Sequence, residues 1–541
     1  MRMQFLYNKT NLKMSKKFFL ALLAPLFMGG LVACNKQASN DLTPEGQSTG
    51  DTYISVTFST ANPNSTARAA VKEEEDFNPI GEYMGRDKIE NVNIYMINAL
   101  DESIEVKKFD NTTNFKKDLD GNAKTREYRT EAWKTSAGKK IVYVYVNIAG
   151  TPIETALDAA LDKASFEKAN NEAYALVENG AVMGIYAKLD GDNKDVIAMN
   201  TIAPVDLDVK GGIKKEAAEA GTDNCAKVTV RRLVGQAAVT STETTYEIKE
   251  KFKSETETTL ATLGDFKWDV MQFEQKTYLM PQATEANADV LKVAYCKTPS
   301  FEFITTDDNY TTGTGNAGDN YAYRAFTGEK VETFTRDSKD ETNVANIVKN
   351  PMKFITETTH LYGGKLEADG GSKPFTGYRK GNTAYVIVSA KITPDEAAWA
   401  TGQKEKAGED LYFGILDHKF YKEEATAVTA NKPSTALPEG KDNVIKYAGG
   451  ICYYVAWLNP NDKKDPTVSP VLRNNIYHVN ITGMKELGYT RNPFDPTDNT
   501  PKDPDDPKVP DPKDPLYPSE THMSVEINVV NWGVHSYDQE F

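Results

Sequence analysis

Along most of the chain, apolar and polar residues alternate in short runs, the period of a strand with one covered face. Residues 53–59 set Ile54, Val56 and Phe58 on one side and Ser55, Thr57 and Ser59 on the other. Residues 91–97 repeat this with Val92, Ile94 and Met96, whereas 141–148 are β-branched or aromatic almost throughout, as in a strand covered on both faces. Segments 228–230, 233–239, 384–388, 451–458 and 476–481 continue the series. It ends at 523–530, where Met523, Val525, Ile527 and Val529 alternate with Ser524, Glu526 and Asn528. Val530, Trp532 and Val534 then take the opposite parity, which predicts a bulge or register shift near 529–531. Helical patterns are fewer, the best at 155–162 and 165–177, and polar stretches such as 307–320 read as surface loops. Many short strands, long polar connections and few helices predict a mainly β fold of antiparallel β-sandwiches.

Length adds that one ordinary core is too few for 541 residues. A composition shift near 216–224 divides an N-terminal domain, 69–225, from a C-terminal domain, 226–492. A Pro/Asp-rich linker follows at 493–518, and 519–541 carry the last strand. Frequent Pro with alternating charge favours an extended spacer that could reach on the order of 70–80 Å.

The beginning reads as a targeting segment. Lys16 and Lys17 precede an apolar stretch, 18–27, too short for an ordinary spanning helix. Leu31-Val32-Ala33-Cys34 then has the form of a lipobox, making 1–33 a lipoprotein signal peptide and Cys34 the lipidated residue. Met14, just upstream of the basic pair, is an alternative start, and Asn35 after the cysteine favours the outer membrane.

Charge and candidate chemistry exclude more than they assign. A net charge of −15 argues against nucleic acid as a partner. Gly313, Gly315 and Gly318 fit a dinucleotide fingerprint literally, but neither a buried strand nor an amphipathic helix flanks them. The loops at Asp118–Asp120 and Asp190–Asp192 miss the calcium-loop spacing, since Arg129 and Thr201 occupy the positions owed a glutamate. His360, His418, His478, His522 and His535 stand apart, and Cys225, Cys296 and Cys452 lack metal-site spacing. No catalytic constellation, cofactor or metal site is expected.

The two terminal strands carry the strongest signal. Each has an apolar face fit to complete a sandwich, either as a permanent member of its own domain or as a joint to another copy. Between the first strand and the body, Asn62-Pro-Asn-Ser-Thr-Ala-Arg68-Ala69-Ala70 is small, polar and centred on one arginine, the kind of loop proteases cut.

Taken together, the chain resembles the fimbrillins of the Bacteroidales, in particular the major (shaft) subunits of Mfa-type minor fimbriae, built as type V pili. The likeness is densest in Gly85-Arg-Asp-Lys-Ile-Glu-Asn-Val-Asn-Ile-Tyr-Met96, Ala226-Lys-Val-Thr-Val-Arg231, the run from Lys380 to Pro394, Tyr454-Val-Ala-Trp-Leu-Asn-Pro460, Val471-Leu-Arg-Asn-Asn-Ile-Tyr-His478 and Met523-Ser-Val-Glu-Ile. The resemblance implies two transthyretin-like β-sandwich domains and export as an outer-membrane lipoprotein. It also implies a cut by an Arg-specific protease between Arg68 and Ala69. Residues 34–68, with the lipid and the strand of Ile54, Val56 and Phe58, would leave. The C-terminal strand of a neighbouring copy, with Met523, Val525, Ile527, Val529 and Trp532, would fill the vacated groove.

The reading is therefore a non-enzymatic shaft subunit of a cell-surface fimbria, supporting adhesion and biofilm formation. Its partners would be further copies, anchor and tip subunits, the protease and, before the cut, the membrane. The alternatives are a monomeric lipoprotein adhesin or glycan-binding protein, or a tip or anchor subunit. Before the cut, the first strand should be paired inside the N-terminal domain, with the C-terminal strand free or weakly packed.

Overall fold

Alternation becomes strand almost wherever the sequence carries it. The computed structural model describes residues 51–60, 86–110, 115–117, 127–252, 256–282, 296–306, 310, 317–334, 351–365, 374–404, 409–433, 443–458, 470–494, 511–516 and 523–531. The first predicted strand is Thr52–Thr60, the second Val92–Asn98, and the doubly covered one Gly138–Val146. Cys225–Arg232, Gly235–Ser241, Tyr385–Pro394, Ile451–Trp457, Asn475–Met484 and Met523–Asn531 account for the rest of the series.

The two expected helices form, each shifted toward its cap. Pro152–Asp158 starts where the Thr151 hydroxyl accepts the Glu154 amide at 3.3 Å and Pro152 fills the first turn. Lys163–Asn171 starts from a capping box between Asp162 and Ser165 and stops short of 177. Ala173–Ala175 is instead drawn into a strand pairing with Lys276–Tyr278.

Ten strands of the N-terminal half join one sheet. Its order is Ile104–Phe109, Val92–Asn98, Gly138–Val146, Met199–Thr201, Cys225–Arg232, Thr52–Thr60, Glu127–Thr130 and Phe115–Lys117. Val205–Val209 and Trp133–Thr135 pair beside it, on Gly138–Val146 and Thr52–Thr60. Ile54 and Val56 share one core with Val92, Ile94 and Val144 from strands several places away, so the sheet curls over its own apolar face.

The C-terminal half stacks two five-stranded sheets. One pairs Gly235–Ser241 with Asn475–Met484, and the other runs Thr245–Glu250, Thr258–Met271, Tyr385–Pro394 and Ile451–Trp457. Val239, Val479 and Ile481 of the first face Leu263, Val388 and Tyr454 of the second across a common core. Two sheets closing on shared side chains make a β-sandwich.

Four features depart from the sequence reading. Pairing is not uniformly antiparallel: Thr52–Thr60 lies parallel to Cys225–Arg232, and Gly235–Ser241 is parallel to both Asn475–Met484 and Glu332–Thr333. Cys225–Arg232 also belongs to the first sheet, so the chain changes sheets at Leu233–Val234 rather than at 225/226. Buried Arg232 spans that change, its Nε donating to Asp87 at 2.8 Å and its Nη1 to the Asn474 side chain at 2.7 Å.

Third, part of the Pro/Asp segment is docked rather than free. The Lys380 amide donates to the Asp514 carbonyl at 2.9 Å and the Gly381 amide to the Pro512 carbonyl at 2.8 Å. Leu516 is buried beside Phe494, Tyr385 and Trp457. A Cβ on Gly381 would stand 2.7 Å from that of Pro512, so the close approach depends on glycine.

Fourth, the C-terminal strand is not free. It pairs antiparallel with Asn475–Met484 from Met484↔Met523 to Asn475↔Asn531, and Met523 enters the sandwich core. The irregularity expected near 529–531 lies instead between Ile481 and Gly483 of the partner strand, at the other end of the pairing.

Candidate assembly site

Thr52–Thr60 has a neighbour along both edges. It runs parallel to Cys225–Arg232 from Ser55↔Cys225 to Thr60↔Val230. On its other edge it is antiparallel to Glu127–Thr130 and then Trp133–Thr135. Where those two segments break, the Val56 amide donates to the Thr130 hydroxyl at 3.0 Å in place of a backbone carbonyl. Toward the strand's start, the Tyr53 and Ser55 amides donate to the Ile213 and Asn224 carbonyls, each at 3.0 Å. The Asn224 side-chain amide returns a bond to the Tyr53 carbonyl at 3.0 Å. The backbone polar groups of the strand are thus taken up by surrounding chain, as buried backbone requires.

Both faces are covered. Ile54, Val56 and Phe58 are fully buried, with Phe58 stacked on Tyr128 at 5.2 Å between ring centroids. Ser55 and Thr57 are buried on the opposite face, beneath the helix Lys215–Ala220. The Ser55 hydroxyl donates to the Ala218 carbonyl of that helix at 2.6 Å. Thr52, also buried, donates to the Lys210 carbonyl at 2.6 Å. At the exposed start, Asp51 pairs with Lys134 at 2.6 Å.

Arg129 closes the polar face. Its Nε donates to the Thr57 hydroxyl at 2.9 Å and its Nη1 to the Ala220 carbonyl at 2.8 Å. Gly221 ends the helix in the left-handed region, φ +73°, and a Cβ there would meet the Arg129 guanidinium carbon at 2.5 Å. Cys225 Sγ lies 3.3 Å from Thr57 Oγ1. The strand is therefore an internal slat: lifting it out opens a slot with hydrogen-bonding groups on both edges, an apolar floor and a polar roof.

Of the residues singled out in the sequence, Ile54, Val56 and Phe58 come together in this slot. Met523, Val525, Ile527 and Val529 lie on a strand of the C-terminal sheet, the last three in backbone register with Ile481, Val479 and Tyr477. Cys34, Arg68, Ala69 and Trp532 lie outside the described residues. The pattern did not disclose Arg129, Asn224 or the covered polar face. One signal was available: Ser55, Thr57 and Ser59 include no charged residue, which a solvent-facing strand edge usually carries.

Elsewhere the chemistry is structural. Asp190 Oδ1 accepts the amides of Asp192 and Lys194, each at 2.8 Å, a turn rather than a calcium loop. The Lys194 amide, then the Lys88 ammonium, hold its carboxyl down at about 2. The loops at Asp118–Asp120 and Gly313–Gly315 fall outside the described residues, while Gly318 sits in the short helix Ala317–Asn320. His360 Nε2 lies 3.0 Å from the Asn382 carbonyl, His418 Nδ1 2.7 Å from Glu250 and His478 Nε2 2.7 Å from Thr240. Among the described residues, no group of three or more His, Cys, Asp or Glu is arranged to hold a metal.

Comparison with known proteins gives the class first: a family of fimbrial subunits, described as "Major fimbrial subunit protein type IV, Fimbrillin, C-terminal", matches residues 445–538. Two curated relatives, both "Minor fimbrium subunit Mfa1" from Porphyromonas gingivalis, are each 34% identical over 552 residues, covering 98% of this chain and 100% of their own. The chain belongs to this family of minor fimbrium subunits, which are structural proteins and not enzymes. Similar solved structures include the fimbrillin FimA of Porphyromonas gingivalis W83, at 13% identity over 90% of this chain and 99% of that one, with a TM-score of 0.36. The tip fimbrial protein Mfa3 of Porphyromonas gingivalis, C-terminally truncated, matches at 10% identity over 80% and 96%, with a TM-score of 0.32. The family assignment rests on the sequence relatives.

Proposed function

We propose that this fimbrial subunit forms the shaft of its fimbria by exchanging strands between copies. The precursor is exported as a lipoprotein carried on Cys34 and displayed at the outer membrane. An Arg-specific protease cuts between Arg68 and Ala69, and residues 34–68 leave with Thr52–Thr60. The C-terminal strand of the next copy, with Met523, Val525, Ile527, Val529 and Trp532, then enters the slot. Two sandwich domains on either side of the sheet change at Leu233–Val234 form the repeating body, and anchor and tip subunits end the fibre. The assembled surface fibre serves adhesion and biofilm formation.

The observation that carries this reading is the internal position of Thr52–Thr60. Its parallel neighbour is reached only through more than a hundred and fifty intervening residues, so no hairpin ties the two together. Burying Ile54, Val56 and Phe58 is worth roughly 5–9 kcal/mol, and an attached strand enjoys a millimolar-scale effective concentration. A free strand of similar apolar content cannot displace it. Cutting the tether makes the exchange one-way.

The test is Arg68→Ala. The variant should be secreted and folded, keep its first strand and remain monomeric on gels where the parent runs as an SDS-resistant ladder. Polymers of ordinary length from the variant would refute the requirement for the cut.

A further inference from the structure

The donor strand's register can be read from the strand it replaces. We infer that the C-terminal strand enters the slot in the same direction as Thr52–Thr60, with Glu520 at the place of Asp51 and Glu526 at the place of Thr57, where it meets Arg129 of the accepting copy. This rests on the strand-exchange reading and specifies its geometry.

The two segments agree residue for residue. Asp51-Thr-Tyr-Ile-Ser-Val-Thr-Phe58 aligns without a gap on Glu520-Thr-His-Met-Ser-Val-Glu-Ile527. Three positions are identical: Thr52 with Thr521, Ser55 with Ser524, and Val56 with Val525. Each has a defined task in the slot. Thr52 donates to the Lys210 carbonyl, Ser55 donates to the Ala218 carbonyl, and Val56 fills the floor. The remaining changes keep character, with acid for acid opposite Lys134, an imidazole for the Tyr53 ring, and Met and Ile for the buried Ile54 and Phe58.

The one change of character is Thr57 to Glu526, and it falls where a negative charge is wanted. The Arg129 guanidinium is half-buried over Thr57, and its acceptors are the neutral oxygens of Thr57, Glu219 and Ala220. Among the described residues, no carboxylate pairs with it. A carboxylate here forms a charge-assisted bond that the resident strand does not supply.

Neighbouring registers fail on the same side chains. Sliding the donor two residues one way brings Glu526 to the place of fully buried Ser55, against the Ala218 carbonyl, where a charge has no donor to meet it. Sliding it two residues the other way leaves Glu526 at Ser59, beyond Arg129, and moves Ser524 away from Ala218. A slip of one residue turns the apolar set onto the polar roof.

Native Cys225 makes the register measurable, because its Sγ lies 3.3 Å from the Thr57 hydroxyl. Full-length Ser524→Cys, Glu526→Cys and Asn528→Cys chains are matured by the protease, polymerised and treated with a mild added oxidant. Glu526→Cys and Ser524→Cys, at the places of Thr57 and Ser55 beside Cys225, should give inter-subunit disulfide mapped to Cys225 by peptide mass spectrometry, about tenfold above Asn528→Cys and lost with Cys225→Ser. Strong linkage from Asn528→Cys, linkage from Ser524→Cys without Glu526→Cys, or polymers that form with no linkage to Cys225, would overturn the register and leave strand exchange standing. Failure of the matured parent chain to polymerise would overturn both. Independently, Glu526→Arg should lower polymer yield by about fivefold to tenfold, and adding Arg129→Glu to the same chain should restore it; no restoration counts against the pairing.

Discussion

Glu274 shows how a single buried residue sets a pH response. Its side chain is fully buried, accepts the Ser300 amide at 2.9 Å and the Thr298 hydroxyl, and burial pushes its pKa up to about 8. Between the ordinary glutamate value of 4.5 and 8, the folded state holds a proton that the unfolded chain has released. Stability from this group is complete below 4.5 and drains away as pH rises toward 8. His360 acts in the opposite sense: burial pushes it down to about 4 from 6.5, so its contribution is complete above 6.5 and lost as pH falls toward 4. From pH 6.5 to 8 Glu274 dominates this pair, and unfolding free energy should fall by about 1 kcal/mol. In Glu274→Gln that decline should shrink to less than about 0.5 kcal/mol, measured by urea titration at the two pH values. Equal declines in parent and variant would show that the side chain is ionised when folded. At this scale the sequence was legible on the apolar side only. Ile54, Val56 and Phe58 announced a covered face by their spacing, but burial of Ser55 and Thr57 depends on a helix more than a hundred and fifty residues away, which no local pattern encodes.

At the scale of elements, alternation located nearly every long strand and missed the longest, Thr258–Met271, of 14 residues. Gly264 and Asp265 interrupt its period. Asp265 has φ +49°, and the register against Tyr385–Pro394 shifts between Gly264 and Lys267, so a bulge divides one strand into two apparent fragments. The Pro/Asp segment misled in another way. Its composition reports that the chain is extended, and an extended chain leaves carbonyls free for outside donors, here the amides of Lys380 and Gly381. Docking also needs Leu516 in its apolar seat. Leu516→Asp should release the segment, speeding hydrogen exchange at the Lys380 and Gly381 amides by at least about tenfold while leaving the Val386–Val388 amides protected. Unchanged exchange would mean that the Pro512 and Asp514 carbonyls hold without the leucine.

For the whole molecule, the proposed exchange would make folding and assembly depend on the same slot. A matured monomer with an empty slot forgoes roughly 5–9 kcal/mol of apolar burial that the precursor enjoys. It should therefore melt well below the precursor, and a synthetic peptide spanning residues 519–531 should raise its melting temperature in a concentration-dependent way. A matured monomer as stable as its precursor would mean that the curled sheet closes over the gap unaided. Mainly β architecture and membership of the fimbrial family were both visible in the chain. The parallel pairing of the first strand was not, because direction of pairing leaves no trace in alternation.

The docked linker has a mechanical consequence. If Leu516 stays seated on its own body while Glu520 takes its proposed place in the neighbour's slot, only four peptide units, at most about 14 Å of chain, would join one subunit to the next. So short a link has almost no slack. Successive bodies would then abut, their touching faces would resist bending, and tension would run along a strand gripped on both edges, loading its hydrogen bonds together as shear. A fibre jointed this way is a stiff rod rather than a beaded string, and a cell carrying it would hold its contacts at a set distance from its own surface.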